Sequence, residues 1–190
     1  PDRERAQWWG DEVNELGEAF YALSPSGQKL AVKGIHELMN WQREDGTLYS
    51  PVPAGNWDKE LPLQMLASIG WYGFYTQYYY SADSSFVPVI YDRMRRYLHE
   101  VWQVDKSGLV VERQGAWSWG DWGEHVDMGV LTNCWYYLAL KAERAFALQL
   151  GRDKDADEIS RMMRSIERCF DTKFWTGSAY RSPGYKGETD

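Results

Sequence analysis

The sequence predicts an all-α fold of the α/α-toroid type, in which helix hairpins stand side by side and close into a ring. Three observations predict it. A unit of helix, tight turn, helix and short extended tail recurs with a period of about sixty to seventy residues, and self-similarity at fixed spacing marks repeat architectures. The breaks between units fall at matching landmarks. Finally, the helices alternate between sequences that are apolar nearly all round and sequences with a single apolar stripe, which places them in an inner and an outer layer. Three hairpins are present, half of a six-hairpin ring. An open helical solenoid shares the local pattern and stands as the alternative.

In the first unit Trp9, Val13, Leu16, Phe20 and Leu23 form one core stripe, Ser24-Pro25-Ser26-Gly27 supplies the turn, and Gly46-Thr47-Leu48-Tyr49 the tail. The second unit opens on Leu63 to Tyr72, apolar on nearly every side, so this helix must lie inside another layer. Leu61 to Ala82 carries no formal charge and is long enough to cross a bilayer, but Pro62, Gln64, Ser68, Thr76, Gln77 and the tyrosines favour a buried helix over a membrane span. Its turn is Ser81-Ala82-Asp83-Ser84. The partner helix sets Phe86, Ile90, Met94, Tyr97 and Val101 opposite Asp92, Arg93, Arg95, Arg96 and Glu100. Gly108-Leu109-Val110-Val111 forms the second tail. The third unit repeats the scheme: Val130 to Leu138 apolar nearly all round, a turn at Gly151-Arg152-Asp153-Lys154, a stripe of Ala156, Ile159, Met163, Ile166 and Phe170, and a tail at Gly177-Ser178-Ala179-Tyr180.

The 190 residues include 28 acidic and 21 basic side chains, a net charge of -7, and 11 Trp, 13 Tyr and 6 Phe. Without a Lys/Arg block to neutralise phosphates, a general nucleic-acid partner is disfavoured. No strand-borne GxGxxG, Walker loop or GxSxG is present, which leaves nucleotide and serine-hydrolase readings without support. Cys134 and Cys169 sit in apolar helical stretches with no metal spacing and are predicted as buried free thiols. His36 and His99 lie on helices without a metal-ligand partner at i+3 or i+4, which favours structural roles, while His125 is open between sugar contact and loop hydrogen bonding. No cofactor or metal is expected. The chain starts on Pro1 and ends on Asp190 after a Gly- and charge-rich stretch, so residues 1–190 are expected to be part of one domain, cut at both ends.

The segments leading into the inner helices carry the chemistry. They hold Trp8, Trp9, Trp57, Trp117, Trp119 and Trp122 beside Glu4, Asp11, Asp58, Glu60, Asp121, Glu124 and Asp127. Indole faces pack on sugar C–H groups and carboxylates accept hydroxyl hydrogen bonds, so the combination suits a neutral polyhydroxylated ligand. The competing view makes these indoles hydrophobic plugs beneath long loops. The sharpest constellation is Glu4-Arg5-Ala6-Gln7-Trp8-Trp9-Gly10-Asp11. If the helix is already formed there, Glu4, Trp8 and Asp11 share one face, with the two carboxylates roughly 10 Å apart along the axis. Indole walls and neighbouring carboxylates raise a pKa, and a carboxyl that keeps its proton can act as general acid to a glycosidic oxygen.

These residues resemble the motif Cys-Pro-x-Arg-(Asp)-Glu-Arg-x-Gly-Trp-x-Gly-Asp of bacterial α-L-rhamnosidases, at Pro1, Arg3, Glu4, Arg5, Trp8, Gly10 and Asp11. Gln7 stands where the family has Gly, and the optional Asp is absent. Gly120-Asp121-Trp122 is similar to the family's Gly-Asp-Trp loop, and Thr132 to Gly151, with Tyr136, Tyr137, Ala145 and Leu150-Gly151, to its usual continuation. The resemblance implies the first half of an (α/α)6 catalytic barrel that cleaves terminal α-L-rhamnosides with inversion. Glu4 would be the general acid. Arg3, Trp8 and Asp11 would line the sugar subsite, and Trp57, Asp58, Glu60, Trp117, Trp119, Asp121, Trp122 and Glu124 would bind substrate from the neighbouring loops. The implied base is a Glu in the later half of the barrel, for which this sequence has no matching segment. Implied partners are a rhamnose-containing glycan or glycoside, the remainder of the barrel and accessory β-domains of the same polypeptide. The compartment is open, with periplasmic or extracellular ahead of cytoplasmic. A noncatalytic carbohydrate-binding helical module and a toroid hydrolase for another sugar remain as alternatives.

Overall fold

The computed structural model of the chain describes residues 5–54, 59–113, 120, 123 and 125–187. It contains the three expected hairpins, preceded by a two-residue strand β1 (Gln7–Trp8). The first hairpin is α1 (Trp9–Ala22) and α2 (Pro25–Asn40). The second follows strand β2 (Pro51–Val52) and runs α3 (Pro62–Ile69), α4 (Phe74–Ser81) and α5 (Val87–Arg96), which ends in a π-helical turn over Tyr97–Val101. The third is α6 (Met128–Gln149) and α7 (Asp153–Phe174). Helix α3 packs between α1 and α6 in an inner layer, α2 covers α1 and α4, and α7 covers α6. No helix among the described residues is long and apolar enough to cross a membrane.

The tails share one backbone device. Gly46, Gly108 and Gly177 all have positive φ, at 87°, 86° and 103°, a conformation that L side chains rarely adopt. In the first two tails an aspartate caps the same turn: Asp45 accepts from the Thr47 amide and hydroxyl, and Asp105 from those of Ser107. The recurring glycines in the sequence are thus the sharp corners that return each outer helix toward the next inner one.

Burial follows the expected layers. Phe86, Ile90, Met94 and Tyr97 of the second outer stripe are fully buried, as are Ile159 and nearly all of Ile166 in the third. Seven of the eight residues of α3 are buried. Each such Leu, Ile or Phe contributes about 1.5–3 kcal/mol by leaving water. Within the core, Tyr136 of α6 donates to the Leu98 carbonyl at 2.9 Å, using an acceptor that the π-helical turn leaves available.

Four expectations need correction. The long uncharged helix over 61–82 is two helices. A Cβ at Gly70 would stand 3.1 Å from the Ala139 backbone, and one at Gly73 only 1.8 Å from the Ser68 carbonyl, so close approach to α6 and a sharp reversal break the helix there. Nor is its second half buried on all sides: Tyr72 and Tyr79 are 54% and 69% exposed. Leu23, assigned to the first core stripe, is exposed because α1 has already ended. The cysteines are free thiols, but Cys134 is exposed and Cys169 half-buried.

Candidate functional site

The chain enters the inner layer through β1, which pairs antiparallel with β2 so that Gln7 faces Val52 and Trp8 faces Pro51. This pairing exists because Trp9, immediately after, anchors the junction. Its ring is buried and set edge-on to Phe74 at 5.6 Å, its amide donates to the Ser50 carbonyl at 3.3 Å, and its carbonyl accepts from the Ser68 hydroxyl at 3.1 Å. With Trp9 committed to the core, the half-buried Trp8 before it lies on the other side of the strand. Gly10 follows, where a Cβ would stand 2.5 Å from the far end of the flexible Gln64 side chain. Asp11 is an exposed carboxylate in the first turn of α1, where the helix dipole favours it.

The helix therefore begins at Trp9, and residues 7–8 are strand. The single helical face expected to join Glu4, Trp8 and Asp11 does not form, because β1 is drawn into long-range pairing with β2. Asp11 remains one short helical turn from Trp8, across a strand-to-helix junction.

The second rim segment is closed at its neck. The Ser50 amide donates to the Lys59 carbonyl at 3.3 Å, and the Leu61 amide donates to the Ser50 hydroxyl at 2.5 Å. Glu60, expected to bind substrate, is instead buried in this neck. One carboxylate oxygen accepts from the Leu48 amide at 3.4 Å and the other takes Arg113 at 2.8 Å. Both oxygens are occupied by the protein, so the sugar-contact role is withdrawn. The Arg113 guanidinium lies over the Trp102 ring at 5.3 Å and donates to the Tyr97 hydroxyl at 3.5 Å. Burial, reinforced by the Glu60 charge, pushes the Tyr97 phenol well up, which keeps it a neutral partner.

The third segment starts from a narrow hairpin in which Val104 bridges Val110. Asn133 of α6 holds it by both ends of its amide: its oxygen accepts from the Val110 amide at 2.8 Å and its nitrogen donates to the Val110 carbonyl at 3.4 Å. The far end is fixed by Asp127, the N-cap of α6. Its carboxylate accepts from the Val130 amide at 3.2 Å and from the amide and hydroxyl of Ser182, each at 2.6 Å, tying the C-terminal tail to the rim. Burial opposes its charge, but the Ser182, Val130 and Gly129 hydrogen bonds hold its carboxyl below the usual range. Asp127 is thus a capping group rather than a sugar ligand.

Glu4, Arg3, Trp57, Asp58, Trp117, Trp119, Asp121, Trp122 and Glu124 lie outside the described residues. Of the histidines, His125 is exposed, while the His99 ring sits 2.9 Å from both oxygens of the fully buried Glu143, which Arg95 also approaches at 3.3 Å. That cluster joins α6 to α5 and is structural. Among the described residues no group of three His, Cys, Asp or Glu side chains could hold a metal ion.

Two features escaped the sequence. Glu12, beside Asp11, is half-buried, and burial together with the charges of Glu15 and Asp11 raises its pKa; its spacing gave no sign of this. A cavity of about 660 Å³ also opens on the inner layer, lined by Asn14 of α1, by Trp71, Tyr75 and Tyr79 around α4, and by Trp135 of α6. Trp71 and Tyr75 stack at 3.9 Å, and the Lys141 ammonium sits 3.8 Å from the Trp71 ring centroid. The density of aromatics between 71 and 80 was the available signal; it reads equally well as core.

The family model described as the bacterial α-L-rhamnosidase 6 hairpin glycosidase domain matches residues 1–190. Among solved structures, an α-L-rhamnosidase from Dictyoglumus thermophilum is similar with a TM-score of 0.76 and 19% identity, over 93% of this chain and 20% of its own. A GH78 family rhamnosidase of Bacillus sp. GL1 is similar with a TM-score of 0.79 and 19% identity, over 98% of this chain and 20% of its own. At that identity the likeness is one of fold. The chain spans 20% of the length of either structure. No curated protein sequence matches significantly.

Proposed function

Because the chain belongs to the bacterial α-L-rhamnosidase 6 hairpin glycosidase domain family, we propose that it forms part of a glycoside hydrolase that removes terminal α-L-rhamnosyl groups with inversion. Glu4 is the general acid, protonating the departing glycosidic oxygen, and a second carboxylate, in a segment without counterpart among these residues, activates water on the opposite face of the ring. Arg3, Trp8 and Asp11 line the sugar subsite. Trp57, Asp58, Trp117, Trp119, Asp121, Trp122 and Glu124 present indole faces and hydroxyl acceptors from the other two rim segments.

The observation that carries this reading is convergence. β1 pairs with β2, and Glu60 pairs with Arg113, so all three segments that bear the tryptophans and carboxylates have their necks on one rim. A carboxyl facing indoles there loses hydration and keeps its proton near neutral pH. The 190 residues alone are expected to turn over aryl rhamnosides negligibly. In a polypeptide that also carries the remaining hairpins, Glu4→Gln is expected to cost about two to four orders of magnitude in kcat with a poor leaving group, and far less with one that needs no protonation. Equal losses on both substrates would refute the acid role.

A further inference from the structure

Gln77 occupies a position where an apolar side chain would be expected. It shares the buried face of α4 with Phe74 and is closed off from solvent, yet neither its Nε2 nor its Oε1 finds a hydrogen-bond partner among the described residues. Buried carboxamides are normally paired at both ends, so an orphan of this kind calls for a ligand or for ordered water. Gln77 lines a cavity of about 630 Å³ between the first two hairpins, walled by Phe20, Leu23, Val32 and Tyr80. Gln28, in the first turn of α2, lines the same cavity, and its buried Oε1 is likewise without a partner among the described residues. We infer that this cavity, where two orphaned carboxamides meet an aromatic wall, is a binding site for a small neutral molecule that carries a primary carboxamide on a flat apolar body.

The polar groups select the ligand. A carboxamide presents a donor and an acceptor side by side, so the group that satisfies both ends of Gln77 at once is another amide edge. That pairing holds whichever way the Gln77 amide is turned. A primary amide has a second N–H, for which Gln28 Oε1 is the acceptor. Other polar groups of the cavity are committed elsewhere: the Ser81 hydroxyl donates to the Gln77 main-chain carbonyl at 2.6 Å, and the Asp83 carboxylate accepts from the Ser85 amide at 2.8 Å. Lys29 and Asp83 bring one charge of each sign, which favours a neutral ligand over an ion. The rings of Phe20 and Tyr80 stack at 5.0 Å and offer a flat body a continuous aromatic wall. The cavity is remote from the rim, since Phe20 lies about 16 Å along α1 from Trp9 at about 1.5 Å per residue. It is built by α1, α2 and α4, which pack on one another, and it stands whether or not the rhamnosidase reading does.

The test titrates benzamide into the full chain labelled with nitrogen-15 and follows the side-chain NH2 signals of Gln77 and Gln28 by NMR. Both are expected to move, while the indole signals of Trp71 and Trp135 stay in place. Gln77→Met keeps the length of the side chain and removes both polar atoms; it is expected to weaken benzamide by about ten-fold or more, the worth of one net hydrogen bond. Gln28→Met is expected to weaken benzamide by about ten-fold as well, but to leave isoindolin-1-one unaffected, because that lactam keeps the paired edge and has no second N–H. N,N-dimethylbenzamide, which has no N–H, is expected to leave the wild-type signals unmoved, a comparison that does not depend on either variant folding. A wild type that ignores benzamide up to its solubility limit would overturn the inference and make ordered water the partner of these groups. So would equal affinities of wild type and Gln77→Met for benzamide. Movement of Trp71 and Trp135 in place of Gln77 would also overturn it, by putting the amide in the other aromatic cavity.

Discussion

Asp127 is the point where the rim, the N-terminus of α6 and the C-terminal tail depend on one charge, and Asp127→Asn isolates that charge. Asparagine caps a helix about as well as aspartate, so the bond to the Val130 amide largely survives. The loss falls on the bond from the Ser182 amide, whose acceptor oxygen becomes an NH2 group, while the Ser182 hydroxyl shares the retained oxygen with Val130. A hydrogen bond to a charged acceptor is worth about 1.5–3 kcal/mol, and the favourable placement at a helix N-terminus adds about 0.5 kcal/mol. Asp127 is 9% exposed, so solvent screens little of this. The expected destabilisation is about 2 kcal/mol at neutral pH, read from urea unfolding. The pH dependence has a definite sign. The folded carboxyl lies below its unfolded value of about 3.9, so its contribution is complete above that value and disappears as pH falls through the lower, folded pKa. The gap between wild type and variant is expected to close over that acid window, and the Ser182 amide to exchange faster in the variant. A gap that stays constant into acid, or an unchanged Ser182 amide, would show that the carboxylate charge does not hold the tail.

Two further substitutions probe the frame. Glu143→Ala strands His99 and deprives Arg95 of its buried partner, leaving Arg95 its bond to Glu158; a loss of about 2–4 kcal/mol is expected in urea melts, partly restored when His99 is also made leucine. Gly73→Ala drives a methyl into the Ser68 carbonyl and should lower stability by about 2–4 kcal/mol, whereas Gly17→Ala, in the middle of α1 with nothing within 4 Å of the new Cβ, should raise it by about 0.5–1 kcal/mol in thermal melts.

The layers were legible because burial leaves a periodic trace. The stripe from Phe86 to Tyr97 and the mostly apolar run from Leu63 to Ile69 lie where their patterns put them. The glycines of the tails were legible because positive φ restricts the residue type. Long-range choices leave no such trace. Nothing local in Gln7-Trp8 announces a strand; only Pro51–Val52 makes it one. Glu60 and Glu143 have the composition of ligand-binding or solvated carboxylates, and only the arrival of Arg113 and of His99 with Arg95 makes them internal ion pairs. The break between α3 and α4 depends on how closely Ala139 approaches Gly70, a distance set by a helix almost seventy positions away.

Beside the Glu60–Arg113 pair, several pins at the necks of the rim segments hold main chain. Ser50 and Asn133 grip main-chain amides and carbonyls, and Asp127 holds backbone nitrogens at Val130 and Ser182 as well as the Ser182 hydroxyl. A fastener that reads only the backbone is indifferent to the side chains strung between its ends. The stretches spanning 53–58 and 114–126 can therefore diverge, lengthen or be transplanted from a relative with another appetite while the scaffold beneath keeps its shape, which makes this edge of the domain a natural place to graft new selectivity.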